Sequence, residues 1–220
     1  MVDNQHWLDR WKENRIGFHE PAVNQHLKTY LPQFALPVGA SVFLPLCGKA
    51  LDINWLAQQG YQVIGIELSQ LAIESFFAEN SRDCERVESD RFAIYTSGNI
   101  RLLQGDFYDL RNDDLSACHF VYDRAALIAM EVTDRPRYYE HMLSIIPQAS
   151  NMLLITLEYD QAEMLGPPFS VPTDEVIQNY QSAFSINLLE ANDIIDERPR
   201  WRKVGLTALR ESVFRLESCR

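Results

Sequence analysis

The stretch that most constrains this chain runs from Ser41 to Ser69, SVFLPLCGKALDINWLAQQGYQVIGIELS. Val42, Phe43 and Leu44 form a short apolar run, which Pro45-Leu46-Cys47-Gly48 interrupts. Leu51, Trp55 and Leu56 then recur at helical spacing, Gly60 stands where a helix would close, and Tyr61 to Ile66 is apolar and β-branched. The pattern predicts strand, tight turn, helix, strand. Its second strand ends on an acid, Glu67, 19 positions beyond Gly48. In nucleotide-binding βαβ units an acid about 20 residues past the glycine turn hydrogen-bonds ribose hydroxyls. The turn lacks GxGxxG, and one glycine beside a stiffening proline makes a poor cradle for a pyrophosphate, which needs close backbone approach at several points. An adenosine-type ligand without phosphates suits it better.

The remaining segments repeat the strand-helix theme. His6 to Glu20 places Trp7, Leu8 and Trp11 on one helical face, either as a core anchor or as a lid for a flat ligand that Phe18 and His19 would extend. Pro21 suits a first helical position, and Val23, Leu27, Tyr30 and Leu31 predict a second helix ended by Pro32. Leu71, Ile73, Phe76 and Phe77 line a further helix, and the charged run from Ser81 to Asp90 reads as exposed loop. Phe92 to Thr96 and Ile100 to Gln104 flank Ser97-Gly98-Asn99, a hairpin signal. Gly105-Asp106-Phe107 follows the second of these strands, at the end where open α/β sheets bind ligands; the alternative is a turn-capping Asp106 beside a core Phe107.

His119 to Tyr122 predicts another strand, ending in Asp123-Arg124 and small residues that admit a closely packed helix. That charged pair is either a surface salt bridge or part of a site at the strand's end. Tyr139, Met142, Leu143 and Ile146 predict a helix that Pro147 stops. Met152 to Leu157 is apolar enough for a strand covered on both faces. The loop from Gly166 to Pro172 holds three prolines and is expected to be a stiff wall. Thr173 is the expected N-cap of a helix from Asp174 to Phe184, and the tail predicts two strands joined by a charged excursion, Asp196 to Lys203.

At 220 residues the chain suits one α/β domain, with about the first 35 residues as a helical lid. A net charge of -11 argues against a nucleic-acid partner, because phosphate backbones are met by basic faces. The four cysteines show no metal or disulfide spacing and read as reduced thiols of a cytoplasmic protein. Neither a signal peptide nor a membrane span is expected, and a monomer is the default.

The segments HWLDRWKENRIGFHEPAVNQHL, FLPLCGKALDINWLA, VIGIELS, GDFYDL, YDRAAL and GPPFSVP, in this order over residues 6–172, resemble the bacterial thiopurine S-methyltransferases, a class I S-adenosylmethionine-dependent family. The resemblance implies a doubly wound, Rossmann-like α/β fold: a mostly parallel sheet of about seven strands with an antiparallel edge strand. It implies S-adenosylmethionine as cofactor and a small thiol, or a selenium or tellurium species, as methyl acceptor. Trp11 and Trp7 would then lie on the cofactor from the lid, Leu46 would touch it from the turn, and Glu67 would hold its ribose. Asp106 and Phe107 would flank the adenine, and Arg124 would stand between cofactor and acceptor, binding the cofactor and serving as the catalytic charge. Phe18 and the Pro167-Pro168-Phe169 loop would wall the acceptor pocket. No metal is implied, and no general base stands out beyond His19. Two other readings compete: a nicotinamide-dependent oxidoreductase, which the single-glycine turn disfavours, and a non-catalytic sensor of an adenosyl ligand.

Overall fold

The computed structural model describes residues 4–219. They divide into two compact units, 4–122 with Ile145–Pro147, and Asp123–Ser144 with 148–219.

The first unit opens with helices α1 (Asn4–Lys12) and α2 (Gln25–Tyr30), continues through β1 (Ser41–Leu44), α3 (Leu51–Gln58), β2 (Gln62–Glu67) and α4 (Gln70–Glu79), and adds β3 (Glu85–Glu88), β4 (Ala93–Ser97) and β5 (Ile100–Gln104). Strand β6 (Cys118–Arg124) carries the chain across the division. The strand order is β3-β4-β5-β2-β1-β6. β1 pairs in parallel with both β2 and β6, and β2 with β5, so the C-terminal ends of β1, β2 and β5 share one edge. All four residues of β1 are buried, as expected of a central strand between helical layers. Gly60 ends α3 in the left-handed conformation (φ 90°), where a side chain would be strained. Helix α2 begins later than the proline signal suggests. Asn24 is its N-cap, accepting from the Leu27 amide at 3.1 Å, while its own amide donates to buried Asp52 of α3 at 2.7 Å.

The second unit holds α5 (Arg135–Ile145), β7 (Asn151–Glu158), α6 (Thr173–Tyr180), β8 (Phe184–Asp193), α7 (Pro199–Lys203) and β9 (Arg210–Ser218). Its strands run β7-β9-β8, antiparallel throughout. The excursion between β8 and β9 is pinned by a small core of Tyr159, Ile194, Ile195, Leu206 and Leu209.

Four expectations need correction. The strands number nine among the described residues, not seven, and antiparallel pairing reaches well beyond one edge strand. The charged run read as loop contains β3, which pairs antiparallel with β4 while all four of its side chains stay exposed. Such a strand has no alternating pattern to read, and its charges guard the free edge. Thr173 is the first residue of α6 and not its cap; Pro172 precedes the helix, and the buried Thr173 hydroxyl finds no partner. The helix ends at Tyr180, because Phe184 is already the first residue of β8.

Candidate functional site

The turn after β1 is built by strain and one carboxylate. Leu46 is left-handed (φ 45°), a costly conformation for a branched side chain, and Gly48 follows with φ 52°. Glu67, at the end of β2, holds this shape. Its Oε2 accepts from the Gly48 amide at 2.9 Å and its Oε1 from the Ser69 amide at 2.8 Å. Burial raises the Glu67 pKa to about 7, against the lowering effect of these backbone hydrogen bonds. A carboxylate offers about four acceptor positions, and the amides of Gly48, Ser69 and Leu68 bond to this one. Cys47 fills the inside of the turn. A Cβ on Gly65 would stand 2.7 Å from its Sγ and 2.8 Å from Leu102, so the strand beneath must be bare. Burial, and then the charge of Glu67, push the Cys47 thiol well up, so it is a packing group and not a nucleophile. Lys49 is committed to Glu79 at 2.6 Å.

The N-terminal helix lies over this turn. Trp11 is buried, and its indole comes so close to Gly48 that a Cβ there would sit 3.0 Å from the ring. Trp7, one helical turn earlier, is half-buried, and Phe18 packs edge-on against both indoles at 5.9 and 5.5 Å. Arg10 places its guanidinium 5.8 Å from Trp7 and 5.9 Å from Phe18. The other end of α1 reaches the turn after β5, where Asn4 donates to Asp106 Oδ2 at 2.8 Å. Asp106 Oδ1 accepts from the Tyr108 amide at 2.9 Å and Phe107 is buried, so the capping role foreseen for this pair is present.

In the second unit, Asp123 is completely buried and Arg124 half-buried at the end of β6. Asp123 accepts from the Tyr138 hydroxyl at 2.7 Å and from the Leu127 amide at 3.2 Å. Burial pushes its pKa up to about 6, with these hydrogen bonds opposing the rise. The expected helix after Arg124 is replaced by left-handed Ala125 (φ 64°) and a short 3-10 turn, Leu127–Ala129.

The proline loop is tied down by hydrogen bonds. The Tyr159 hydroxyl donates to the Pro168 carbonyl at 2.6 Å, Gln161 donates to the Met164 carbonyl at 2.6 Å and accepts from the Ser170 amide at 2.9 Å, and the Phe169 amide donates to Ile128 at 2.7 Å. Gly166 (φ 84°) lets the Phe169 ring fold onto the loop; a Cβ there would lie 2.5 Å from it. Phe169 is thereby buried.

The sequence profile described as thiopurine S-methyltransferase (TPMT) matches residues 2–219. The chain belongs to the thiopurine S-methyltransferase family. A thiopurine S-methyltransferase of Nitrosospira multiformis is 43% identical over 215 residues, 98% of each chain. One of Bordetella petrii is 44% identical over 216 residues, 98% of this chain and 99% of its own. Among solved structures, the fold is similar to a 1,6-didemethyltoxoflavin-N1-methyltransferase of Burkholderia thailandensis bound to S-adenosylhomocysteine, with a TM-score of 0.65 at 11% identity, covering 98% of this chain and 87% of that one. It is also similar to a phosphoethanolamine N-methyltransferase of Haemonchus contortus, with a TM-score of 0.70 at 11% identity, covering all of this chain and 61% of that one. At this identity the two structures bear on the fold alone.

Within this thiopurine S-methyltransferase family member, the first unit brings together Trp7, Trp11, Phe18, Leu46, Glu67, Asp106 and Phe107, on α1, the loop after it and the strand ends. Arg124 and Phe169 belong to the second. Sequence reasoning missed Gly65, Ser69, Asn4 and Tyr138. A glycine inside a β-branched strand was a usable signal for the first; the other three act through partners distant in sequence or through a backbone amide. Among the described residues no cluster of metal-ligating side chains is found, no disulfide joins the cysteines, and no helix is long and apolar enough to cross a membrane.

Proposed function

We propose that this enzyme transfers the methyl group of S-adenosylmethionine to the sulfur of aromatic or heterocyclic thiols such as thiopurines, and to selenium or tellurium species. The observation that carries the reading is the single-glycine turn clasped by Glu67. It presents a carboxylate suited to ribose hydroxyls, and its Gly48 and Ser69 amides, which donate to that carboxylate, make no phosphate cradle. Family membership and the cofactor-bound fold relatives support the same reading.

The cofactor's methyl sits on a positively charged sulfur, so an acceptor sulfur can take it in line while the bonding pair leaves on a neutral thioether. Positioning is therefore the protein's main task, and it can supply roughly 7–11 kcal/mol of barrier reduction. Glu67 accepts hydrogen bonds from the ribose hydroxyls, Leu46 contacts the cofactor from the turn, and Trp7 and Trp11 cover it from α1. Asp106 and Phe107 flank the adenine. Arg124 favours the acceptor's thiolate by its charge, so the thiol proton goes to solvent without a dedicated base. Phe18 and Phe169 wall the acceptor. The enzyme works as a cytoplasmic monomer on small molecules, without nucleic-acid or membrane partners.

A radiolabelled-methyl transfer assay over thiopurines, thiophenols, selenite and tellurite tests the reading. Label should appear in at least one thioether product, and S-adenosylhomocysteine, not NAD, should raise the melting temperature. Stabilisation by NAD alone, or cofactor binding with no product from any acceptor, overturns it.

A further inference from the structure

Strand β6 ends in a turn whose shape costs energy. Ala125 is left-handed, a conformation that a non-glycine residue keeps only where surrounding contacts over-determine it. Those contacts converge on Asp123. Its side chain reaches forward to the Leu127 amide and closes a loop of hydrogen-bonded chain around Arg124, Ala125 and Ala126. The carboxylate is itself oriented from outside the turn, by the hydroxyl of Tyr138 on α5. Both side chains are 0% exposed, so neither can touch a substrate. An O–H to carboxylate bond of 2.7 Å in a buried site is charge-assisted and directional. Phenylalanine would fill nearly the same volume as Tyr138, so the hydroxyl is separable from the packing.

We infer that Tyr138 and Asp123 are positioning residues for Arg124: the Tyr138 hydroxyl sets the Asp123 carboxylate, the carboxylate holds the left-handed turn, and the turn aims the guanidinium. The inference rests on the proposed role of Arg124 as the charge that favours the acceptor thiolate. Glu175 supports α5 from the same unit, accepting from Arg135 at 2.7 Å and from the Tyr139 hydroxyl at 3.4 Å, and this keeps the Tyr138 helix in place independently of Asp123.

The test is Tyr138→Phe in the full chain, compared with wild type and Arg124→Ala. Bound thiophenol, in the presence of S-adenosylhomocysteine, is titrated by its thiolate absorbance, and methyl transfer is measured for a weakly and a strongly acidic aryl thiol. Tyr138→Phe should raise the bound thiol's pKa by about one unit, a tenfold loss of thiolate near neutral pH. It should cost kcat/KM about tenfold with the weakly acidic thiol and only about twofold with the acidic one, which is ionised already. Affinity for S-adenosylhomocysteine by calorimetry should stay unchanged. Equal losses with both thiols, a parallel loss of S-adenosylhomocysteine affinity, or no change at all would overturn the inference. Should Tyr138→Phe unfold, Asp123→Asn keeps the shape, removes the charge and should shift the thiol in the same direction. If Arg124→Ala leaves the bound thiol's pKa unchanged, the reading of Arg124 itself has failed. If Arg124→Ala shifts it and Tyr138→Phe does not, only the positioning role has failed.

Discussion

The turns that follow β1 and β6 solve the same problem with different partners. Each contains a left-handed residue with a side chain, Leu46 in one and Ala125 in the other, and each is held by a buried carboxylate that accepts backbone amides. Glu67 reaches the first turn from a neighbouring strand and accepts from backbone amides. Asp123 holds its own turn and adds a tyrosine hydroxyl. Glu67 keeps 6% of its surface exposed and Asp123 none. The difference separates two uses of a buried acid. Glu67 bridges the ends of two strands and keeps a little of its surface in solvent, whereas Asp123 is sealed inside and can act only through what it holds in place.

The largest expected effect belongs to the residue that the second turn presents. Arg124→Ala should lower turnover on a thiopurine on the order of a hundredfold while leaving S-adenosylhomocysteine affinity nearly intact. Undiminished turnover in steady-state assays would remove any catalytic role for it. Glu67→Ala should weaken cofactor binding by about 1–3 kcal/mol, the scale for lost hydrogen bonds to a charged group, and calorimetry that finds unchanged affinity would break the contrast between the two acids. Gly65→Ala should destabilise the first turn by about 1–3 kcal/mol, because Cys47 and Leu102 leave no room for a methyl group; chemical denaturation reports it.

The pH dependence is a smaller effect with an opposite sign in binding and in stability. Glu67 titrates near 7 and Asp123 near 6, both above their ordinary values of 4.5 and 3.8. The stability each contributes is fully present below its ordinary value and is lost as pH rises through its folded value. The melting temperature of the ligand-free protein should therefore climb as pH is lowered from 8 toward 5.5, and Glu67→Gln should flatten the upper part of that rise. Cofactor affinity should move the other way, because the ionised carboxylate is the better acceptor for ribose hydroxyls, and should weaken as pH falls below about 7. Asp123→Asn should alter the stability curve and leave that affinity curve unmoved. Ala125→Gly gives the smallest change, a stabilisation of under about 1 kcal/mol, since relief of the left-handed strain is offset by glycine's greater freedom when unfolded.

Much of this was legible before the structure. The βαβ unit from Ser41 to Glu67 announced itself through apolar periodicity, Gly60 and a terminal acid, all of them local signals. The hairpin of β4 and β5 and the final antiparallel pair were equally plain. The segment Glu85–Glu88 was not, because an edge strand with every side chain in solvent is held by backbone hydrogen bonds that composition does not encode. The same limit explains Thr173: a residue that looks like a cap on its own becomes a helix residue when the preceding proline sets the start.

The sequence by itself determined which residue types stand at the strand ends and how far apart along the chain, since these depend on a few adjacent residues. It therefore marked Glu67, Asp106 and Arg124 as candidate residues at strand ends. Only the tertiary structure decided what each acid does. What a carboxylate holds in place depends on which distant donor the fold brings to it: the Gly48 amide, 19 positions back, for Glu67, and the Tyr138 hydroxyl, 15 positions on, for Asp123. Hydrogen bonding and burial act through space, and at those separations the chain carries no local trace of them.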